Sequence, residues 1–261
     1  MLRLGAGGKL ALPTIALSIL AFAVFLSLDS INASGFAFRV NPLYLAVEGS
    51  CILLALLVCL LSLRRHAFAG TLPSLFRALG MFTFAVFAAS SFSFPLESQE
   101  LLFVYLMGVL FAAGFLTMGA WTKRKPFTKP NWLFCAALFA LVLLLLYFTL
   151  AIASAGSPSL YAAGEFLPSI KALGAAVTLL LFLSSVGYLK RFIEENEEIA
   201  YWSTLGLFAF ALAGIFFFLS TPFRAFWWAQ EFFKLLGFVS FLLGSFFLHL
   251  EFAPFRVIRG R

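Results

Sequence analysis

The apolar residues of this chain occur in long, nearly continuous runs that are separated by short polar connections. Each run is close to the roughly 20 residues that an α-helix needs to cross the hydrocarbon core of a bilayer. The strands of a membrane β-barrel alternate apolar and polar positions instead, and these runs do not alternate. We therefore predict an all-α polytopic membrane bundle with eight transmembrane helices, at 9–28, 43–63, 74–94, 101–121, 132–154, 169–189, 200–220 and 229–250.

The composition excludes a soluble fold of this size. Hydrophobic residues make up 63% of the 261 positions and charged residues 11%, whereas roughly a quarter of the residues in soluble domains are charged. A soluble domain of this length exposes a large surface to water, and so few polar residues cannot cover it. We expect a single integral membrane domain over 1–261, with the lipid bilayer as its surroundings.

The basic residues are distributed unevenly among the predicted connections. Lys and Arg concentrate on the cytoplasmic side of membrane proteins, and the connections on one side of this chain hold only Arg39 and Arg224. We predict a multi-pass protein of the cell membrane with both termini and the even-numbered connections in the cytoplasm. This topology accounts for the net charge of +7 without a nucleic acid partner. The basic side carries Arg3, Lys9, Arg64, Arg65, Lys123, Arg124, Lys125, Lys129, Lys190, Arg191, Arg256, Arg259 and Arg261.

The two halves of the chain share a weak internal similarity. Residues 79–86 (LGMFTFAV) align with 205–212 (LGLFAFAL), and the same offset aligns 63–65 (LRR) with 189–191 (LKR). This pairs the second predicted helix with the sixth and the third with the seventh. Both halves, 1–128 and 129–261, would then start on the cytoplasmic side, which is the arrangement of a parallel repeat. Phe, Leu and Ala are so frequent here that chance agreement is the alternative.

A few ionisable residues fall inside the predicted membrane segments. A charge at mid-membrane costs about 2.5–3.5 kcal/mol on insertion scales, so each such residue needs a reason. Glu48 lies about one turn into the second predicted helix from its outer end, and Glu231 and Lys234 lie at the outer end of the eighth. A spacing of three residues allows Glu231 and Lys234 to form an ion pair. If these two helices are neighbours, a candidate ligand pocket opens outward, lined by Glu48, Gln230, Glu231, Lys234, Arg224, Trp227 and Trp228.

The sequence offers little for catalysis or for a bound cofactor. It lacks the common hydrolase and phosphate-binding motifs, and Asp29 is its single aspartate. Its two histidines, His66 and His249, fall near predicted cytoplasmic helix ends, with His66 in a basic loop rather than inside a helix. Haem ligands in membrane bundles face each other from within helices, so we expect no haem. We also expect no metal site and no enzymatic activity.

Short motifs resemble those of a known class of membrane module. Val47-Glu48 opens the second predicted helix, Lys190-Arg191 closes the sixth, and the eighth begins with the stretch at 226–237 (FWWAQEFFKLLG). In these features the chain resembles the membrane-associated sensor modules that precede histidine kinases and diguanylate cyclases. One branch of that family has a Gly-His pair followed three residues later by a lysine. Lys234 matches that lysine, while Gln230 and Glu231 stand at the Gly-His positions.

Three functions follow from these observations. The resemblance implies a non-enzymatic sensor-like module that binds a small or lipidic ligand from the outer side and relays the change to a partner. No output domain follows the last predicted helix, so we expect that partner to be a separate protein. An accessory subunit of a larger membrane complex, such as a respiratory complex, is the second function, because 36 Phe residues provide apolar faces for neighbouring subunits. A small transporter is the third, and the possible repeat favours it.

Overall fold

Seven long helices form the part of the protein that the computed structural model describes, namely residues 41–92, 99–122, 132–155, 161–162, 165–195, 197–219 and 225–252. A two-residue antiparallel strand pair lies between the fourth helix and the fifth. The elements are α1 (Asn41–Ala69), α2 (Leu72–Phe92), α3 (Gln99–Trp121), α4 (Trp132–Ser154), β1 (Tyr161–Ala162), β2 (Glu165–Phe166), α5 (Pro168–Glu195), α6 (Glu198–Leu219) and α7 (Ala225–Phe252).

The helices α1 to α7 correspond to the second to eighth predicted segments. All seven are long and apolar enough to cross a membrane, so the prediction of a polytopic helical bundle is confirmed. The first predicted segment, at 9–28, lies outside the described residues. The largest exposed apolar surface belongs to α4, where only 17% of the residues in its most apolar stretch are buried.

The boundary between α1 and α2 corrects one sequence-based prediction. The second predicted segment ended at residue 63, but α1 continues to Ala69 and stops at Gly70, which adopts a φ of 60°. The Gly70 N–H donates to the carbonyl of His66 at 2.8 Å, as expected for a glycine that terminates a helix in the left-handed conformation. His66 therefore lies inside a helix and is buried, not in a loop.

Six of the helices pack into a closed ring in the order α1, α2, α3, α5, α6, α7, with α7 returning to α1. Helix α4 packs outside the ring, against α3 and α2. Glycines permit the closest approaches: a Cβ at Gly80 would lie 3.1 Å from a backbone carbonyl of α3, and a Cβ at Gly206 would lie 2.9 Å from one of α7. Small residues at such crossings let membrane helices pack by direct backbone contact.

Contacts between helix ends define two ends of the bundle. At one end Arg65 of α1 pairs with Glu197, beside the start of α6, and Arg191 of α5 donates to the carbonyl of Thr122 after α3. We call this the basic end. At the other end Glu48 of α1 contacts Lys234 of α7. We call this the cluster end.

Candidate functional site

The centre of the candidate site is an ion cluster that joins α1 to α7. Lys234 pairs with Glu48 across the helix boundary, and its Nζ lies 2.6 Å from Oε2 of Glu231, three residues earlier on α7. All three side chains are buried, with exposed fractions between 2% and 5%. The second and eighth predicted helices are therefore neighbours, and the three ionisable residues singled out from the sequence contact one another.

Two tyrosines complete the surroundings of this cluster. The Tyr44 hydroxyl donates to Oε1 of Glu48 at 3.4 Å, from one turn earlier on α1. Lys234 donates to the Tyr105 hydroxyl of α3 at 3.3 Å, and its Nζ lies 5.5 Å from the centroid of that ring. A lysine over an aromatic face gains a cation–π attraction in addition to its ion pairs. Tyr105 was not among the residues selected from the sequence, because nothing in the uniformly apolar fourth predicted segment distinguishes its position.

The cluster lies further along its helices than the sequence suggested. Glu48 is seven residues from the start of α1 and Lys234 is nine residues from the start of α7. At about 1.5 Å per residue, these positions are about 10 Å and 14 Å along their helices. Glu48 thus lies two turns into its helix rather than one. Ionisable groups at such depth are tolerated when they pair with one another and face the bundle interior.

The cluster leaves hydrogen-bond acceptors without donors. Two carboxylates share one ammonium, so the fully ionised cluster carries an excess negative charge. Among the described residues, Oε2 of Glu48 and Oε1 of Gln230 are buried without a hydrogen-bond partner, and Oε2 of Glu231 has its ion-pair contact without an aligned hydrogen bond. Buried polar atoms are normally satisfied by protein or water, so each of these oxygens identifies a place for a further donor.

A cavity of about 90 Å³ lies inside the ring and reaches this cluster. Its polar lining comes from Gln230, Lys234 and Tyr105, and its remaining lining is apolar side chains and glycines of α2, α3, α5, α6 and α7. Phe84, Phe217 and Phe238 form much of the apolar wall. A space of this size accommodates several water molecules or a small organic group. The arrangement suits a ligand with an apolar body and one polar end.

The remaining residues of the predicted pocket have different surroundings. Trp227 is half-buried, and its ring centroid lies 6.1 Å from that of Tyr44. Trp228 is also half-buried, and its indole N–H has no hydrogen-bond partner in the part of the chain that the structure describes. These tryptophans flank the cluster at the start of α7 and are not part of the cavity lining. Arg224 lies outside the described residues.

Only His66 of the two histidines has surroundings that the structure describes. Nδ1 of His66 lies 2.9 Å from the carbonyl of Thr71, and its Nε2 lies 3.6 Å from Sγ of Cys135. His249 belongs to α7, but its side chain lies outside what is described. Among the described residues, no group of three His, Cys, Asp or Glu side chains is arranged to hold a metal ion.

Comparison with known proteins leaves the site to be interpreted from its own chemistry. The chain matches no protein-family model, and no curated protein or solved structure matches it significantly.

Proposed function

We propose that this chain is a non-enzymatic, sensor-like membrane module that binds a small or lipidic ligand at the cluster end and relays the change to a partner protein. The observation that carries this proposal is the cavity inside the ring, whose apolar wall ends at Gln230 and Lys234. Ligand pockets are typically apolar with a few convergent polar groups, and this cavity has that composition.

The cluster restricts the chemistry of the ligand. Oε1 of Gln230, which lines the cavity, is a buried acceptor with no hydrogen-bond donor in the described part of the chain, so the polar end of the ligand should donate a hydrogen bond to it. When both carboxylates and Lys234 are ionised, the cluster has a net charge of −1, which favours a positive group over a neutral one. An amphiphile with a primary amine fits both requirements best, an alcohol fits the first, and a carboxylate fits neither.

The proposed orientation places the cluster on the outer side of the cell membrane. It rests on the uneven distribution of Lys and Arg among the connections. With the segment at 9–28 as a further transmembrane helix, the chain would have eight helices and both termini in the cytoplasm. The basic end would then face the cytoplasm, where the ends of α1, α5 and α7 are available to a partner.

The order of helices around the ring supports a parallel repeat. The offset found in the sequence pairs α1 with α5, α2 with α6 and α3 with α7, and each pair stands at opposite positions of the ring. Gly80 and Gly206 are equivalent under this offset, and both permit close contact with the next helix of their own half. An approximate two-fold axis along the membrane normal would relate the halves.

A small transporter is the second candidate, and the position of the cavity favours it. The cavity is lined from both proposed halves, by α2 and α3 on one side and by α5, α6 and α7 on the other. Transporters built from repeats bind their substrates at such an interface.

A role as an accessory subunit draws support from α4, which exposes large apolar side chains such as Leu133 and Phe148 outside the ring.

Thermal unfolding of the full chain in mild detergent tests the ligand site with hexylamine, hexanol and hexanoate as probes. A ligand at about 100 times its Kd stabilises the folded state by about 2.7 kcal/mol. We expect stabilisation in the order amine, alcohol, acid. Glu48→Gln should remove the preference for the amine over the alcohol, because it removes the excess negative charge.

Two matched variants distinguish binding in the cavity from non-specific effects of the probes on the stability of the bundle. Ala113→Leu fills the cavity and should abolish the response to all three probes, whereas Ala136→Leu, on the exposed face of α4, should retain it. Equal responses in wild type and Ala113→Leu would contradict the proposal. Hexylamine-driven currents in proteoliposomes that disappear in Glu48→Gln would favour the transporter over the sensor.

A further inference from the structure

A second group of buried polar side chains lies at the basic end and takes no part in the cluster. Arg77 of α2 and Arg191 of α5 both face the ring of Tyr188, with their guanidinium carbons 5.4 Å and 5.7 Å from its centroid. The three side chains are 3%, 8% and 1% exposed. Two arginines on one aromatic ring each gain a cation–π attraction, but they also bring two permanent positive charges close together.

The charge of this group is not balanced within the described part of the chain. Nε and Nη1 of Arg77 and the Tyr188 hydroxyl are buried without a hydrogen-bond partner. Arg191 donates to the carbonyl of Thr122, which is a neutral acceptor. The ion pairs described at this end join Arg65 to Glu197 and Lys190 to Glu194, and neither reaches Tyr188. An arginine cannot lose its proton in a protein, so the group requires an anion.

The packing around Tyr188 preserves room for its hydroxyl. Gly119 of α3 lies beside it, and a Cβ at that glycine would come within 3.1 Å of the Tyr188 oxygen. Gly187 allows α5 to approach α3 closely, since a Cβ there would lie 3.0 Å from Ala120. The phenol therefore reaches between α3 and α2 to the level of Arg77, where its O–H adds a third donor group to the two unpaired nitrogens of Arg77.

The position along the helices fits the headgroup region of a membrane. Arg77 is five residues from the start of α2 and Arg191 is four residues from the end of α5, which corresponds to about 6–8 Å from the helix ends. Basic pockets between transmembrane helices at this level bind the phosphates of anionic lipids. Guanidinium groups match phosphate oxygens in shape and charge and bind them through paired hydrogen bonds.

We propose that Arg77, Arg191 and Tyr188 form a binding site for a phosphate group at the basic end of the bundle. The phosphate comes either from an anionic lipid headgroup or from free phosphate in solution. Arg77 supplies two unused donor nitrogens, Tyr188 supplies its O–H, and Arg191 supplies the second positive charge. This site is spatially separate from the cavity, since neither the ion cluster nor the cavity lining contributes a residue to it.

The test uses the purified full chain with two phosphate sources. In one arm, inorganic phosphate is titrated and the Tm is followed in neutral detergent at constant ionic strength. In the other, the Tm is compared between nanodiscs of phosphatidylcholine alone and nanodiscs that include phosphatidylglycerol, and native mass spectrometry counts the retained phosphatidylglycerol. Arg77→Gln should weaken phosphate or phosphatidylglycerol binding at least about tenfold, because a hydrogen bond to a charged group is lost. Tyr188→Phe should weaken it less.

The control is Arg64→Gln, which removes an exposed arginine at the same end of the bundle. A response to phosphatidylglycerol alone would identify a lipid site, and a response to inorganic phosphate would identify a site for the free ion. Arg191→Gln provides a second variant should Arg77→Gln not fold, and it should lower affinity in the same arm. No response in either arm, or an equal loss in Arg64→Gln, would refute the site.

Discussion

Replacing Lys234 by Met tests whether the ion cluster holds α1 against α7. Lys234 is the cation that both Glu48 and Glu231 contact, and all three side chains are buried. Its loss leaves two carboxylates without a counter-charge, and breaking a buried pair in this way costs about 3–5 kcal/mol. In domains of about 150–250 residues, 1 kcal/mol corresponds to about 2–4 °C in Tm. We therefore expect the Tm in mild detergent at neutral pH to fall by roughly 6–20 °C.

Two further variants make this experiment specific to the cluster. Lys190→Met removes the same side chain from an exposed pair, in which Nζ lies 3.8 Å from Glu194. Exposed pairs contribute about 0–1 kcal/mol, so its Tm should change little. Adding Glu48→Gln to Lys234→Met should restore part of the lost Tm, because one unbalanced charge is removed. A wild-type Tm for Lys234→Met, or an equal fall for Lys190→Met, would refute the reasoning.

Three other predictions concern packing, the second ion pair and the cysteines. Gly206→Ala should lower the Tm, because its Cβ would press on the α7 backbone, whereas Gly114→Ala meets nothing within 4 Å and should gain about 0.5–1 kcal/mol from helix propensity. Arg65→Gln should lower the free energy of unfolding by about 1–3 kcal/mol, because Glu197 loses its ion pair with Arg65. The double variant Arg65→Glu with Glu197→Arg should recover part of that loss. The three free cysteines are buried, so a maleimide reagent should label them in denaturant and not in the folded protein.

The helices were predictable because, in a membrane protein, the length of each apolar run in the sequence is close to the length of one membrane-spanning helix. Each run that the structure describes became one helix, and the bounds of α4 agree with the predicted segment at both ends. The end of α1 was misplaced because charged residues at 64–65 look like a connection, yet the helix continues until Gly70 terminates it. Charged residues in a sequence show where a helix leaves the membrane interior. The residue at which the helix ends is set by backbone conformation, here that of a glycine.

The candidate site was predictable only where charge revealed it. Glu48 and Lys234 stand out because an ionisable group within an apolar segment is costly and needs a partner. The sequence did not show that they pair with each other, because that depends on α1 closing the ring against α7. Tyr105 carries no charge, and Arg77 lies so near the start of its segment that it looks like an interfacial residue. Their roles depend on which faces of α2 and α3 turn inward, and segments apolar all round do not disclose this.

The cavity and the arginine site share helix faces, and this links the two ends of the bundle. Gly80 lines the cavity and lies three residues after Arg77, while Leu181 lines it seven residues before Tyr188. Residues at these spacings lie on the same face of a helix. A ligand that moved α2 relative to α5 at the cavity would therefore also move Arg77 relative to Tyr188. Coupling between two binding sites acts equally in both directions. If an amine bound at the cluster end changes phosphate binding at the basic end, phosphate must therefore change the affinity for the amine by the same factor.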